Sequence, residues 1–262
     1  MGLLDDYKNL FSLDGKVALV AGGAGGIGIA ICEGLAAQGA TVLVCSRKEE
    51  NTKAVAEKIV AAGGKAYGYG LDIVDLGATA EFVEQRAKEF GNIDIMVNCV
   101  GMQIENPAEE YREEDWDTLF DVNLKSGFFL SQAVAKVQIR NNSGGKHIHL
   151  SSVRSQLGLR RGFIAYCTTK GGMNLMVKQL ATEWAKYNIT VNAIAPTFIR
   201  TEQVAKYLND PEFYQGLVGR IPLGRVGEPE DISGMAMYLA APASDFVTGQ
   251  IIFADGGVTA SQ

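Results

Sequence analysis

Val17-Ala-Leu-Val-Ala-Gly-Gly-Ala-Gly-Gly-Ile-Gly28 carries the strongest indication of the fold in this chain. Its apolar start, Val17 to Ala21, predicts a short buried strand, and its glycines let the chain turn with positive φ and approach a phosphate closely. A helix predicted from Gly28 to Gln38 would direct its N–H groups and partial positive charge at that phosphate. This order predicts a dinucleotide-binding βαβ unit. A tight turn without a ligand is the alternative interpretation.

Strand-like and helix-like segments alternate along most of the remaining sequence. Amphipathic runs predict helices at 49–62 and 76–90, and apolar runs predict strands at 41–45, 66–71, 93–97, 147–150, 189–194 and 250–253. Apolar strands joined by helical crossovers favour a parallel sheet with helices on both faces. Because the sequence contains no linker, low-complexity tract or internal repeat, residues 15–262 are predicted to form one doubly wound α/β domain of the Rossmann type.

The N-terminal residues 1–14 precede the first predicted strand. Their apolar residues have roughly helical spacing, which predicts a short arm packed on the body of the protein or on another subunit: Leu3, Leu4, Tyr7, Leu10 and Phe11. A membrane-surface helix is the weaker alternative, because the arm carries no basic face. The N-terminus also has acids where a secretory signal needs bases.

Composition excludes several classes of protein. The 262 residues are 47% hydrophobic and 21% charged, which is ordinary for a soluble globular protein. The net charge of −6 leaves no basic surplus for nucleic acid or an anionic membrane. No apolar stretch reaches the roughly 20 residues that span a bilayer. The four cysteines have no metal-binding spacing, so reduced thiols in a cytoplasmic protein are expected: Cys32, Cys45, Cys99 and Cys167.

Tyr166-Cys-Thr-Thr-Lys170 is the second informative stretch. On a helix, residues four apart share a face and lie about 6 Å apart along the axis, so a phenol and an ammonium here can form an acid–base pair. By themselves the two residues fit a surface pair equally well. The apolar residues that follow have helical spacing and indicate a buried helix: Met173, Met176, Val177, Leu180, Ala181 and Trp184.

Taken together, these segments resemble the short-chain dehydrogenase/reductase family over nearly the whole chain. The family's loop is Thr-Gly-x-x-x-Gly-Ile-Gly, and Ala21 replaces its threonine here. Cys99-Val100 and Thr197 are further departures from the family pattern. The resemblance implies a set of cofactor-binding residues: Gly22, Gly26, Ile27, Gly28, Asp72, Ile73, Asn98, Gly101, Tyr166, Lys170, Pro196, Ile199 and Thr201.

The same resemblance implies the catalytic roles. Tyr166 is the general acid–base, Lys170 lowers its pKa and holds the nicotinamide ribose, and Ser152 orients the substrate oxygen. Asn123 supports a water-linked proton path to Lys170. Ser152 lies one residue farther from Tyr166 than is usual in the family, which we interpret as a one-residue insertion in the loop. Ser151 is the alternative, although the strand register favours the second serine. A unit charge about 4 Å away at an effective dielectric of about 20 contributes roughly 4 kcal/mol, nearly three pKa units before desolvation.

The residues at the end of the second predicted strand indicate which dinucleotide the protein binds. NAD sites place an acid there for the ribose 2′-OH, whereas NADP sites place a cation for the 2′-phosphate. Here Ser46 and Arg47 follow Cys45, and a guanidinium can bind phosphate through two hydrogen bonds. The sequence therefore predicts NADP, with NAD possible. A solvated basic turn is the alternative.

Three arginines between Ser152 and Tyr166 indicate the charge of the substrate. Arg154, Arg160 and Arg161 lie in this loop and suit an anionic substrate, such as a sugar acid. Arg154 is the candidate to bind its carboxylate, and a surface or subunit contact is the alternative. Residues 200–225 are predicted to form a mobile lid. The resemblance is strongest to gluconate 5-dehydrogenase-like members, and the family implies a homotetramer.

The predicted function is NADP(H)-dependent hydride transfer to or from a secondary alcohol or ketone, with a sugar acid or polyol as substrate. A 3-oxoacyl-thioester reductase or another carbonyl or steroid reductase is the alternative within enzymes. A non-catalytic nucleotide sensor is the alternative from another class, but it should have lost Tyr166, Lys170 or Ser152. His147 and His149 share a strand face without a nearby acid or cysteine, which favours a structural role over a metal site.

Overall fold

The computed structural model describes residues 4, 7 and 9–261. Its sheet is parallel throughout, with the strand order β3-β2-β1-β4-β5-β6-β7. The strands are β1 (Val17–Ala21), β2 (Thr41–Ser46), β3 (Lys65–Gly70), β4 (Ile95–Asn98), β5 (Gly145–Leu150), β6 (Ile189–Pro196) and β7 (Ile251–Ala254). The predicted doubly wound α/β fold is confirmed.

Helices connect the strands and form the lid region. They are α1 (Gly26–Ala37), α2 (Glu49–Ala61), α3 (Leu76–Phe90), α4 (Glu113–Phe120), α5 (Ser126–Asn141), α6 (Ile164–Trp184), α7 (Glu202–Leu208), α8 (Pro211–Val218) and α9 (Pro229–Ala240). The π-helical turn Asp121–Lys125 joins α4 to α5. Helix α1 begins two residues before the predicted Gly28, because the Ile29 N–H already donates to the Gly25 carbonyl (2.8 Å). The sequence patterns did not predict α4, α5 and α9.

Both faces of the sheet are buried, as the apolar strands predict. Ala18 and Val20 of β1 belong to one hydrophobic cluster, and Leu19 and Ala21 belong to another. The first cluster includes residues of α1, α2 and α9, and the second includes residues of α3 and α5. Because successive side chains of a strand point to opposite faces, one strand contributes to both layers.

The predicted arm is described only in part, since residues 1–3, 5, 6 and 8 lie outside the described residues. Leu4 and Tyr7 are exposed. Leu13 is buried in the first cluster, and the Leu10 carbonyl accepts a hydrogen bond from the Ala243 N–H (2.9 Å). The attachment of the chain to the body therefore starts at about Leu10, and the docking of the whole arm stays a prediction.

The strand order reverses beside β1. Strands β2 and β3 lie on one side of it and β4 to β7 on the other, so the connections after β1 and β4 leave in different directions. Ala21 is opposite both Cys45 of β2 and Asn98 of β4, which aligns the carboxyl ends of these strands. Ligands of open α/β sheets bind in the crevice at such a reversal.

Candidate active site

A cleft of about 600 Å³ opens at the carboxyl ends of the strands. Its walls come from the segments after β1, β4, β5 and β6 and from the start of α6. Most of the predicted cofactor and catalytic residues line it: Gly22, Gly26, Ile27, Gly28, Gly101, Ser152, Tyr166, Lys170, Pro196, Ile199 and Thr201. Residues far apart in sequence therefore meet in one cavity.

The glycine loop has no room for side chains at two of its positions. A Cβ at Gly28 would collide with the backbone carbonyl of Gly22. Gly22 itself has φ +77°, and a Cβ there would lie 3.0 Å from the backbone of Cys99. The N-cap of α1, Gly25, has no side-chain cap, so backbone N–H groups are available at the helix N-terminus. This bare, compact turn fits a pyrophosphate group.

The predicted adenosine end lies along β2 and the segment after β3. Ser46 ends β2 and donates a hydrogen bond to the Lys48 carbonyl (3.4 Å), and Arg47 is exposed. Within the described part of the chain, no carboxylate pairs with Arg47. Ile73 is buried, and exposed Asp72 accepts a hydrogen bond from the Val74 N–H (3.1 Å). The arrangement leaves a cation at this edge that fits a 2′-phosphate.

Tyr166 lies in the first turn of α6 and lines the cleft together with Ser152. Burial raises the pKa of the Tyr166 phenol, and the nearby hydroxyl of Ser152 offsets this rise in part. Lys170 has its Nζ 5.8 Å from the centre of the Tyr166 ring. The protein alone therefore favours a neutral phenol, and the lowering of this pKa by Lys170 stays a prediction.

Lys170 is buried at the base of the cleft. Its Nζ donates a hydrogen bond to the Leu150 carbonyl (2.6 Å), and burial lowers its pKa to about 8. A Cβ at Gly101 would lie 3.4 Å from this Nζ and 3.6 Å from Oδ1 of Asn123, so the lysine and the asparagine flank the same glycine.

Asn123 is fully buried in the π-helical turn. Its amide exchanges two hydrogen bonds with the backbone of Met102 (2.8 and 2.9 Å) and donates to Oγ1 of Thr169 (3.3 Å). A π-turn inserts an extra residue into a helix and is frequent at functional sites. Here the hydrogen bonds of Asn123 connect the π-turn to the segment after β4 and to α6.

Ser151 and Ser152 have different partners. Ser151 Oγ donates to Oδ1 of Asn174 (2.6 Å), one turn beyond Lys170 on α6. Ser152 lowers the pKa of Tyr166 from nearby, and its Oγ accepts a hydrogen bond from the Arg154 N–H (3.1 Å). The geometry favours Ser152 over Ser151 as the partner of the phenol. Asn174 was missed by sequence reasoning, although its spacing of four residues from Lys170 puts both on one helix face.

The three arginines of the loop differ in their contacts. Arg154 is half-buried, lines the cleft and donates to the Gly158 carbonyl (2.9 Å). Arg160 is exposed and is not part of the cleft wall. Arg161 is paired through two hydrogen bonds with Glu105 (2.7 and 2.5 Å), and it is also hydrogen-bonded to Tyr207. Arg154 is therefore the member of the three that faces the cleft without a carboxylate partner among residues 9–261.

Helices α7 and α8 belong to a segment whose two ends, at residues 198–200 and at Gly227, are hydrogen-bonded to each other. Gly227 N–H donates to the Phe198 carbonyl (3.0 Å), and Arg200 N–H donates to the Gly227 carbonyl (2.8 Å). The segment packs around its own hydrophobic cluster, which includes Leu208 and Leu217. A segment with closed ends and a separate core suits a lid, and this role remains a prediction.

The buried histidines are held by polar side chains. His147 Nε2 lies 3.0 Å from Oε1 of Gln138, and His149 Nε2 lies 3.0 Å from Oγ of Ser131. Burial lowers the pKa of His147 to about 3 and that of His149 to about 4, so both are neutral near pH 7. The described residues contain no group of three or more potential metal ligands. None of the helices they form is long and apolar enough to cross a membrane.

Known proteins are similar to this chain over nearly its whole length. A family model described as Enoyl-(Acyl carrier protein) reductase matches residues 22–259. Gluconate 5-dehydrogenase of Gluconobacter oxydans is 37% identical over 97% of this chain and 99% of its own. A tropinone reductase homolog of Arabidopsis thaliana is 39% identical over 95% of this chain and 94% of its own. The crystal structure of a gluconate 5-dehydrogenase from Burkholderia cenocepacia in complex with NADP and tartrate has a TM-score of 0.92 at 35% identity, covering 97% of this chain and 99% of that one.

Proposed function

Because the chain belongs to the short-chain dehydrogenase/reductase family of oxidoreductases, we propose that it transfers a hydride between NADP(H) and a secondary alcohol or ketone. The observation that carries the proposal is that Tyr166, Ser152 and Lys170 line the same cleft as the glycine loop. An acid–base group and a dinucleotide cradle that share one cavity suit this reaction.

Tyr166 is the proposed general acid in ketone reduction. The carbonyl oxygen gains negative charge as the carbon accepts a hydride, and the neutral phenol supplies the proton. Ser152 donates a hydrogen bond to the same oxygen. Bound NADPH supplies the hydride, and Lys170 and the other predicted cofactor residues hold it. Asn123 acts through the Met102 backbone and Thr169 to position this side of the cleft.

NADP is proposed over NAD on the strength of Arg47. This guanidinium is exposed at the end of β2, where an NAD site would need an acid. The Burkholderia relative was crystallised with NADP, which supports the assignment.

A sugar acid or polyol is the first substrate class to assay. The relative from Gluconobacter is named for gluconate, and Arg154 offers a cation to a substrate carboxylate. The tropinone reductase homolog makes ketones without a sugar chain the second class.

The test is NADPH oxidation, followed by absorbance, with sugar acids, polyols, keto esters and steroids as substrates. We expect turnover by the wild type and a loss of about 100- to 10,000-fold in kcat for Tyr166→Phe, with NADPH affinity unchanged because only the phenolic hydroxyl is removed. NADPH binding without turnover of any compound would support the nucleotide-sensor alternative instead.

A homotetramer in the cytoplasm completes the proposal. Phe246 is fully exposed and Leu175 is 69% exposed, which suits contacts with further copies. The four cysteines are free, as a reducing compartment requires. Sedimentation of the purified protein tests the oligomeric state.

A further inference from the structure

The first turn of α6 carries Tyr166 but begins without a side-chain cap. Its N-cap residue is Phe163, whose ring has no atom that could accept a hydrogen bond from the first N–H groups of the helix. The helix starts with the hydrogen bond from the Cys167 N–H to the Phe163 carbonyl (2.9 Å). The position of the phenol therefore depends on what holds the chain just before the helix.

The chain before α6 is held by the segment that follows β4. We call residues 104–106 and 161–163 together the clamp, because the two stretches are in contact through backbone atoms. The Asn106 N–H donates a hydrogen bond to the Gly162 carbonyl (2.9 Å). A Cβ at Gly162 would collide with the backbone carbonyl of Asn106. Backbone atoms yield less easily than the end of a flexible side chain, so the close approach requires glycine at this position.

Side chains continue the clamp toward the phenol. Arg161 binds both carboxylate oxygens of Glu105 (2.7 and 2.5 Å), and its guanidinium lies 5.5 Å from the centre of the Phe163 ring. The buried Phe163 ring packs edge-on against the Tyr166 ring, with 6.3 Å between the two ring centres. Consecutive contacts therefore run from the segment after β4 to the phenol.

The segment after β4 has its own anchors on the side away from the loop. The Tyr111 hydroxyl donates a hydrogen bond to the Ile104 carbonyl (3.1 Å). Nδ2 of Asn106 lies 3.5 Å from Oδ2 of Asp115, in the first turn of α4. Residues 104–106 are thus held on one side by α4 and the turn before it, and they hold the start of α6 on the other.

We infer that Gly162 and Asn106 are positioning residues for Tyr166. Their backbone contact fixes where α6 begins, and therefore where the phenolic hydroxyl lies when a ketone accepts a hydride. Both residues lie outside the cleft wall, so they act through the helix and not through contact with substrate or cofactor. This inference rests on the proposed function, because it takes Tyr166 as the proton donor.

The first test compares Gly162→Ala with Gly158→Ala in the NADPH assay. Gly158 is the matched control, because it lies in the same loop and a Cβ there would meet no heavy atom of the described residues within 4 Å. We expect Gly162→Ala to lower kcat about 100-fold, the scale of a 1 Å misplacement, and to leave the Kd of NADPH unchanged. Gly158→Ala should leave both unchanged. Equal kcat values for the two variants overturn the inference.

The second test separates positioning of Tyr166 from a general structural role. In a Tyr166→Phe background the hydroxyl is absent, so adding Gly162→Ala should lower the remaining kcat by less than about twofold, because effects of residues that act as a unit do not add. A full additional loss of about 100-fold in the double variant overturns the inference, since the substitution would then act on more than the phenol.

Crystal structures of the two glycine variants test the inference without turnover. The Tyr166 hydroxyl should move by about 1 Å relative to Lys170 Nζ in Gly162→Ala, the displacement that explains such a loss, and should stay in place in Gly158→Ala. An unmoved hydroxyl in Gly162→Ala overturns the inference. An absence of turnover by the wild type, with NADPH bound, overturns the proposed function instead.

Asn106→Gly replaces Gly162→Ala if the latter does not fold. It adds no atoms to the clamp and gives the backbone more freedom there, so kcat should fall about two- to fivefold with the Kd of NADPH unchanged. An unchanged kcat in this variant overturns the inference.

Discussion

The cofactor end and the substrate end of the cleft are built in different ways. The cofactor end consists mainly of backbone: a glycine loop within residues 22–28, the start of α1 and the aligned ends of β1 and β4. The substrate end consists of side chains from three separate segments, the one after β4, the loop before α6 and the lid region. A backbone cradle depends on a few consecutive residues, whereas a side-chain wall depends on how distant segments pack.

This difference decides how strongly each end responds to mutation. At the cofactor end, a single added Cβ collides with a backbone carbonyl, which can shift only if the rest of the loop shifts with it. At the substrate end, partly exposed side chains share the contacts, so single changes should have graded effects.

The largest effect is expected at Gly28. A Cβ there collides with the Gly22 carbonyl, so Gly28→Ala should displace the loop and weaken NADPH binding about 100-fold, the scale of a 1 Å misplacement. Gly234→Ala is the control, because a Cβ there has no heavy atom of the described residues within 4 Å and Gly234 lies outside the cleft wall. Fluorescence titration with NADPH measures both. Equal affinities for the two variants would show that the loop is not the cradle.

The next effect concerns Arg47. Arg47→Met should raise the Kd of NADPH about 10- to 100-fold, the range for a hydrogen bond to a charged group, and leave the Kd of NADH unchanged. Lys48→Met removes a neighbouring exposed charge and serves as the control. A similar loss in both variants would assign the effect to the general charge of this turn.

The pH dependence of ketone reduction should report Lys170. Its pKa of about 8 means that the ammonium loses its proton above pH 8, so kcat/KM should fall about tenfold per pH unit there. Burial raises the pKa of Tyr166, so the phenol stays protonated in this range and does not cause the fall. Lys170→Arg keeps its charge and should have a flat profile from pH 7 to 10, at lower activity. A fall near pH 8 in this variant too would exclude Lys170 as its source.

The smallest effect on activity is expected at the edge of the cleft, where Arg161 contacts Glu105. Arg161 joins Glu105, after β4, to Tyr207 in the lid region, so Glu105→Gln should loosen the lid. Exposed pairs contribute up to about 1 kcal/mol, which corresponds to a two- to fivefold rise in KM. Hydrogen exchange of residues 202–218 should increase in parallel. The control is Glu109→Gln, which changes an exposed acid outside the cleft wall. Equal hydrogen exchange in both variants would show that the Glu105–Arg161 pair does not hold the lid region in place.

Sequence reasoning was most accurate where structure is local. The predicted bounds of β1 and α3 agree with the structure, because a short apolar run and an amphipathic helix are specified by neighbouring residues. Tyr166 and Lys170 lie on one buried helix, as their spacing indicates. The pKa of Tyr166 was less accessible, because it depends on burial and on the distance to Lys170.

The sequence by itself determined the doubly wound fold and the glycine loop, because consecutive residues specify them, and its resemblance to the short-chain dehydrogenase/reductase family supplied the candidate catalytic residues. Only the tertiary structure decided that Ser151 bonds to Asn174, that Glu105 neutralises Arg161, and that Arg154 lines the cleft without a carboxylate partner in the described residues. These facts depend on which side chains of distant segments come together, and no local pattern records that.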